Sequence, residues 1–145
     1  MTPLNSTMRF NHAYSTGVVL AVNAVSDAFL LLDAPGCAQW RPGFIQGNHD
    51  STSTLWDSSG MHRFQITGTN TERIISGNME DLGQRLERMA QAPGCGAIMA
   101  AGFPLALISG TPYEAIWRNL KTSLNTPFFP VMGGSVSCDW LDGYA

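Results

Sequence analysis

Three cysteines are the residues of this chain best suited to chemistry: Cys37, Cys95 and Cys138. A thiolate binds soft metals and attacks electrophiles, and its neighbours decide whether it forms. Cys37 follows Pro35-Gly36 and is expected to open a helix, where backbone amides favour the thiolate. A free Cys is also often a small buried hydrophobe, and at this point both readings stand for Cys37 and for Cys138. No C-x-x-C pair is present, so a self-contained zinc or iron–sulfur site is not expected. His12, His49 and His62 show no ligand spacing, and no Ser-His-Asp or paired-carboxylate pattern is readable. Gly133-Gly134-Ser135 could cradle an anion on its amides. It lacks the glycine and lysine spacing of the nucleotide-binding motifs.

These residues depend on the elements that carry them. Tyr14 to Val25 reads as a helix, and Ala28 to Leu32 as a strand buried on both faces. Pro42 to Gly60 is loop-like, and Phe64–Thr67 and Ile74-Ile75 read as short strands. Met79 to Gln91 is the clearest helix: Asn78 can cap it, and Met79, Leu82, Leu86 and Met89 form one apolar stripe. Ala97 to Ala101 is a second buried strand. Thr111-Pro112-Tyr113-Glu114 reads as a capping box with Pro at the first helical position, opening a helix that buries Ile116, Leu120 and Leu124. Phe128 to Met132 is a third strand, and Asp139 to Ala145 the first turn of a further helix.

Strands alternating with helices predict an α/β fold: a three-layer, Rossmann-like domain with a parallel sheet flanked by helices. Sites in such sheets form at the carboxyl ends of the strands. Asp33–Cys37, Gly102–Gly110 and Gly133–Trp140 leave that edge, so Cys37 and Cys138 share it. Cys95 precedes a strand and belongs at the opposite edge. Leu105 to Ile108 reads as packing, and Trp40, Trp56, Trp117 and Trp140 as core or interface anchors.

Composition narrows the classes further. The 145 residues carry 8 Lys+Arg against 11 Asp+Glu, a net charge of −3, which argues against a nucleic-acid backbone binder. The start lacks a signal peptide pattern, and the longest apolar stretch, Gly17 to Val25, is far short of the roughly 20 residues of a membrane span. A soluble, cytoplasmic domain with reduced thiols is expected. Only 13% of residues are charged, about half the usual quarter. So little charge fits surfaces meant for sister domains or a partner subunit.

Taken in order, four stretches resemble the amino-terminal domain of nitrogenase component 1 type oxidoreductases. This family includes molybdenum–iron protein subunits, cofactor-assembly scaffolds and dark-operative protochlorophyllide reductase subunits. Leu32-Asp33-Ala34-Pro35-Gly36-Cys37-Ala38 resembles the family's His-Gly-Pro-x-Gly-Cys-Ala turn. Thr71 to Gly77 is similar to Glu-x-Asp-Val-Val-Phe-Gly, and Phe103 to Ile108 to Cys-Pro-x-x-Leu-Ile. Ser135 to Ala145 resembles a Gly-Asp-Trp-Leu-Asp-Gly-Tyr ending.

The resemblance implies the first of several Rossmann-like domains, so residues 1–145 are expected to be one domain and a fragment of a longer subunit. It implies electron transfer through an interfacial iron–sulfur cluster, shared with a homologous subunit in a homo- or hetero-oligomer. The electrons would come from an ATP-dependent iron protein. Cys37 falls on the second ligand position, and the third falls on Phe103, which cannot bind iron. The first falls near Asn11 or His12, of which only His12 could coordinate. Cys138 and Asp139 lie on a loop that approaches the cluster in relatives, and both could ligate. The implied ligands are Cys37, Cys138, Asp139 and His12, and full reductase activity is not expected from 145 residues alone. Two other readings stand beside this one. One is a non-redox scaffold or binding module that has lost its cluster. The other is an unrelated small-molecule enzyme of flavodoxin-like architecture.

Overall fold

The computed structural model describes residues 14–39, 55, 62–76, 79–108, 112–131 and 140–145. Within them, β1 (Ala28–Asp33), β2 (Phe64–Ile66), β3 (Ala97–Gly102) and β4 (Phe128–Val131) form one sheet in the order β2-β1-β3-β4. Every pairing is parallel: Leu30 lies beside Phe64 and Met99, and Ile98 beside Phe128. The helices are α1 (Tyr14–Asn23), α2 (Thr71–Ser76), α3 (Met79–Ala90), α4 (Pro104–Ile108), α5 (Tyr113–Ser123) and α6 (Trp140–Tyr144). The expected parallel sheet with flanking helices is the one observed.

All six residues of β1 are buried, because the period-2 alternation of the strand sends them to two different cores. Phe29 and Leu31, with Ile98 and Ala100 of β3, face Leu82, Leu86 and Met89 of α3 and Ile116, Trp117 and Leu120 of α5. Ala28, Leu30 and Leu32 face the other way, onto Tyr14, Val18, Val19 and Val22 of α1. Three valines are poor helix formers, but a helix buried nearly all round is held by packing rather than by propensity. The apolar stripe read on α3 does point into the core at Leu82, Leu86 and Met89.

Four local readings change. Ile74-Ile75 is not a strand but part of α2, because the Asn70 side chain accepts the Arg73 backbone N–H at 2.9 Å and caps a helix. Pro112 is the cap of α5 rather than its first helical residue, with the Ala115 and Ile116 amides on its carbonyl, and no side-chain cap bond is made. Gly102–Gly110 is not all loop, since Pro104 starts the short α4. Cys37 sits on a single 3-10 turn, Gly36–Gln39, rather than at the start of an α-helix. Most of Pro42–Gly60, and Asn78, Thr111, Met132 and Asp139, lie outside the described residues. β4 is an edge strand, where the N–H that Pro130 lacks is not required.

α6 packs across α1 through two glycines. A Cβ on Gly143 would stand 2.2 Å from the Tyr14 carbonyl oxygen, and one on Gly17 only 1.8 Å from that of Trp140. Neither backbone can yield cheaply. Gly143→Ala is therefore expected to destabilise the fold by about 2–3 kcal/mol, as overpacking does. Gly83, inside α3, has only the Leu120 side chain at 3.7 Å. Gly83→Ala should stabilise by roughly 0.5–1 kcal/mol, since the glycine's backbone entropy is no longer lost. Urea midpoints of the two variants should move in opposite directions.

Candidate functional site

The chain leaves β1 for β2 on one side and then crosses to β3 on the other, so β1 and β3 flank the switch point of the sheet. A crevice at their carboxyl ends is where such sheets hold ligands. Asp33 and Gly102, paired in register, are the last residues of these two strands. The turn with Cys37 follows the first, and Phe103 and Pro104 the second.

Asp33 is 3% exposed. A buried carboxylate is costly unless hydrogen bonds replace its water. Thr67 and Thr69 each donate a hydroxyl to Oδ1 at 2.6 Å, and the Tyr113 hydroxyl donates to Oδ2. Such charge-assisted bonds are short and strong. The backbone joins in: Ala34 N–H donates to Thr67 Oγ1 at 3.1 Å, Thr69 N–H to the Ala34 carbonyl at 3.0 Å, and Phe103 N–H to the Asp33 carbonyl at 2.9 Å. The exits of three adjacent strands thus meet at one residue, β2 through the Asp33 carboxylate and β3 through its backbone carbonyl.

Two further polar clusters brace the sheet. Arg73 Nη1 and Arg85 Nε both bond Asp81 Oδ2, at 3.0 and 2.9 Å. Arg73 also donates to the Thr67 carbonyl at 2.6 Å, beside the knot. At the other edge the buried Arg63 donates to the carbonyls of Val25 and Ala28, joining the end of α1 to the start of β1. Burial pulls its guanidinium pKa down, partly offset by Asp27.

Of the residues expected to ligate a metal, Cys37 is described and its side chain is exposed. Cys138, Asp139 and His12 lie outside the described residues, as do His49, Trp40, Trp56 and Gly133-Gly134-Ser135. Among the described residues no group of three His, Cys, Asp or Glu side chains could hold a metal ion. Phe103 is half-buried and packs on the α1-side core, as does Ala38 of the Cys37 turn. Cys95 lies at the opposite edge as expected, half-buried, with its thiol on the Ala97 carbonyl at 3.7 Å. Burial, and then Asp27, push its pKa up.

The knot itself was not anticipated. Its signal was present in Thr67-x-Thr69, two hydroxyls at strand spacing just past β2, opposite an acidic residue at the end of the neighbouring buried strand. Tyr113 gave no such signal, because its bond spans 80 residues of chain.

No family model matches the chain, and no curated protein does. Solved structures do match. Against nitrogenase Cp1 at pH 5 the TM-score is 0.64, with 15% identity, over 91% of this chain and 27% of that one. Against nitrogenase Cp1 at pH 6.5 the values are 0.58, 16%, 82% and 23%. The chain thus spans about a quarter of the length of these solved chains, and shares the fold of that part. No described helix is long and apolar enough to cross a membrane.

Two outcomes follow from this geometry. Thr67→Val takes a donor from Asp33 and an acceptor from the Ala34 amide. It should destabilise by about 1–3 kcal/mol in urea unfolding, the cost of stranding buried polar groups. A raised pKa leaves less thiolate at a given pH. Iodoacetamide at pH 8 should therefore label Cys37 well before Cys95, as resolved by peptide mass spectrometry.

Proposed function

We propose that this chain is a portion of a nitrogenase-like reductase subunit that takes part in electron transfer through an iron–sulfur cluster at a subunit interface. The observation that carries the reading is an exposed thiol, Cys37, at the switch-point edge of a domain folded like part of nitrogenase Cp1. Cys37 has the donor chemistry for one ligand of such a group. The described residues do not complete a ligand set, so Cys138, Asp139 and His12 are proposed to contribute, with other ligands from a homologous subunit. Bound there, a cluster would supply one-electron relay, tuned by burial and hydrogen bonding.

The chain's own residues do the positioning. The Asp33 knot holds the exit of β1, and Ala38 of the Cys37 turn packs on the α1-side core. Leu105 and Ile108 of α4 and Ile75 of α2 are exposed, and these two helices follow the exits of β3 and β2 at the carboxyl edge. Exposed apolar residues on that edge suit a protein partner: the homologous subunit, and an ATP-dependent iron protein as electron donor. Such a complex is proposed to work in the cytoplasm, where thiols stay reduced.

A second reading is favoured by Phe103. A hydrocarbon side chain packed on the core stands where the family resemblance puts a thiolate. A scaffold or binding module of the same fold, without a redox centre, needs no ligand there.

Anaerobic expression with iron and sulfide separates the two. An iron–sulfur relay should give a broad absorption at roughly 400 nm, from thiolate-bound iron. Cys37→Ala should abolish the iron and Cys95→Ala retain it. A folded, colourless, iron-free protein would favour the scaffold, and equal loss in both variants would remove Cys37 as the ligand.

A further inference from the structure

The bonds to Asp33 do more than offset a buried charge, because of where the carboxylate sits. Only Ala34, Pro35 and Gly36 separate it from Cys37. Of that link, Ala34 is tied at both its N–H and its carbonyl, and Pro35 has a fixed φ. The Ala38 N–H on the Pro35 carbonyl, at 2.9 Å, closes the turn. Few torsions are left free between the anchor and the thiol.

The anchors differ in origin. Thr67, Thr69 and Phe103 follow the strands on either side of β1, so they move with the sheet. Tyr113 comes from the first turn of α5, in the helix layer that covers the Phe29 and Leu31 face of β1. Its ring is 4% exposed and stacks on Trp117 at 5.6 Å, and Trp117 in turn lies against Phe128 at 5.0 Å. The phenol is therefore held by its ring and aimed by its hydroxyl.

We infer that Tyr113 is a positioning residue for Cys37, its hydroxyl on Asp33 coupling α5 to the turn that carries the thiol. The inference rests on the reading of Cys37 as the thiol of the site. A carboxylate is a rigid plane, so whatever displaces its Oδ2 partner also turns Oδ1 against Thr67 and Thr69. Movement of α5 is then felt at the β1 exit, and the coupling runs equally in the other direction.

Amide hydrogen exchange by NMR on the metal-free chain tests this, comparing wild type with Tyr113→Phe, which keeps the ring and removes the hydroxyl. The Ala34 and Ala38 amides should exchange at least about tenfold faster relative to the Leu30 amide in mid-strand, the scale expected for losing one hydrogen bond to a charged group. A uniform rise at all three amides would mean that Tyr113 only stabilises the fold, and would overturn the inference. So would no change. Thr69→Val, which acts on the other carboxylate oxygen, should loosen the same two amides and provides an independent readout if Tyr113→Phe folds poorly. Iron plays no part in this measurement. An iron-free wild-type protein would count against the cluster, whereas unchanged exchange would count against the coupling.

Discussion

A central strand that is apolar on both sides cannot face water on either. β1 imposes this condition on the rest of the structure, since each of its six residues is buried. Its odd and even positions need separate covers, so the chain must supply α3 and α5 for one face and α1 for the other. Parallel neighbours are needed at its sides, and the crossovers between strands supply α3 and α5, whereas α1 precedes β1 in the chain. Layer order, strand direction and the position of the switch point all follow from that one covering problem.

The polar residues solve the problem this creates at the strand ends. Where β1 leaves the sheet, its backbone and the Asp33 carboxylate would be stranded in an apolar interior. Two hydroxyls from the neighbouring β2 exit, and one from the first turn of α5, take the place of water. At the entrance, the Arg63 guanidinium serves the carbonyls of Val25 and Ala28. The same strand is thus tied at one end by a buried acid and at the other by a buried base.

Much of the fold was legible because hydrophobic periodicity carries it. Ala28–Leu32 and Ala97–Ala101 are continuous apolar runs, and the Leu82, Leu86, Met89 stripe has helical spacing; these are local patterns, visible in a few residues. Ile74-Ile75 misled for the same reason: two β-branched residues favour a strand, but the Asn70 cap and the exposure of Ile75 belong to a helix. The site was less legible. Cys37 could be placed at the carboxyl edge from the order of elements alone. The partnership of Asp33 with Tyr113 could not, because a bond between residues so far apart in sequence leaves no spacing to read. The shared fold with nitrogenase Cp1 persists at 15–16% identity, which shows how little of the chain's chemistry the covering problem dictates.

The crossing of α1 and α6 bears on how this sequence can drift. Compensation normally works by exchange: a side chain grows and its neighbour shrinks. At Gly17 and Gly143 the neighbour is main chain, the carbonyls of Trp140 and Tyr14, which have nothing to give up. Neither position can be rescued by a partner residue, so the two are bound to the same fate without any pairwise trade between them. In a set of related sequences such a contact would register as two independent invariant sites, and a search for correlated substitutions would pass over this helix crossing.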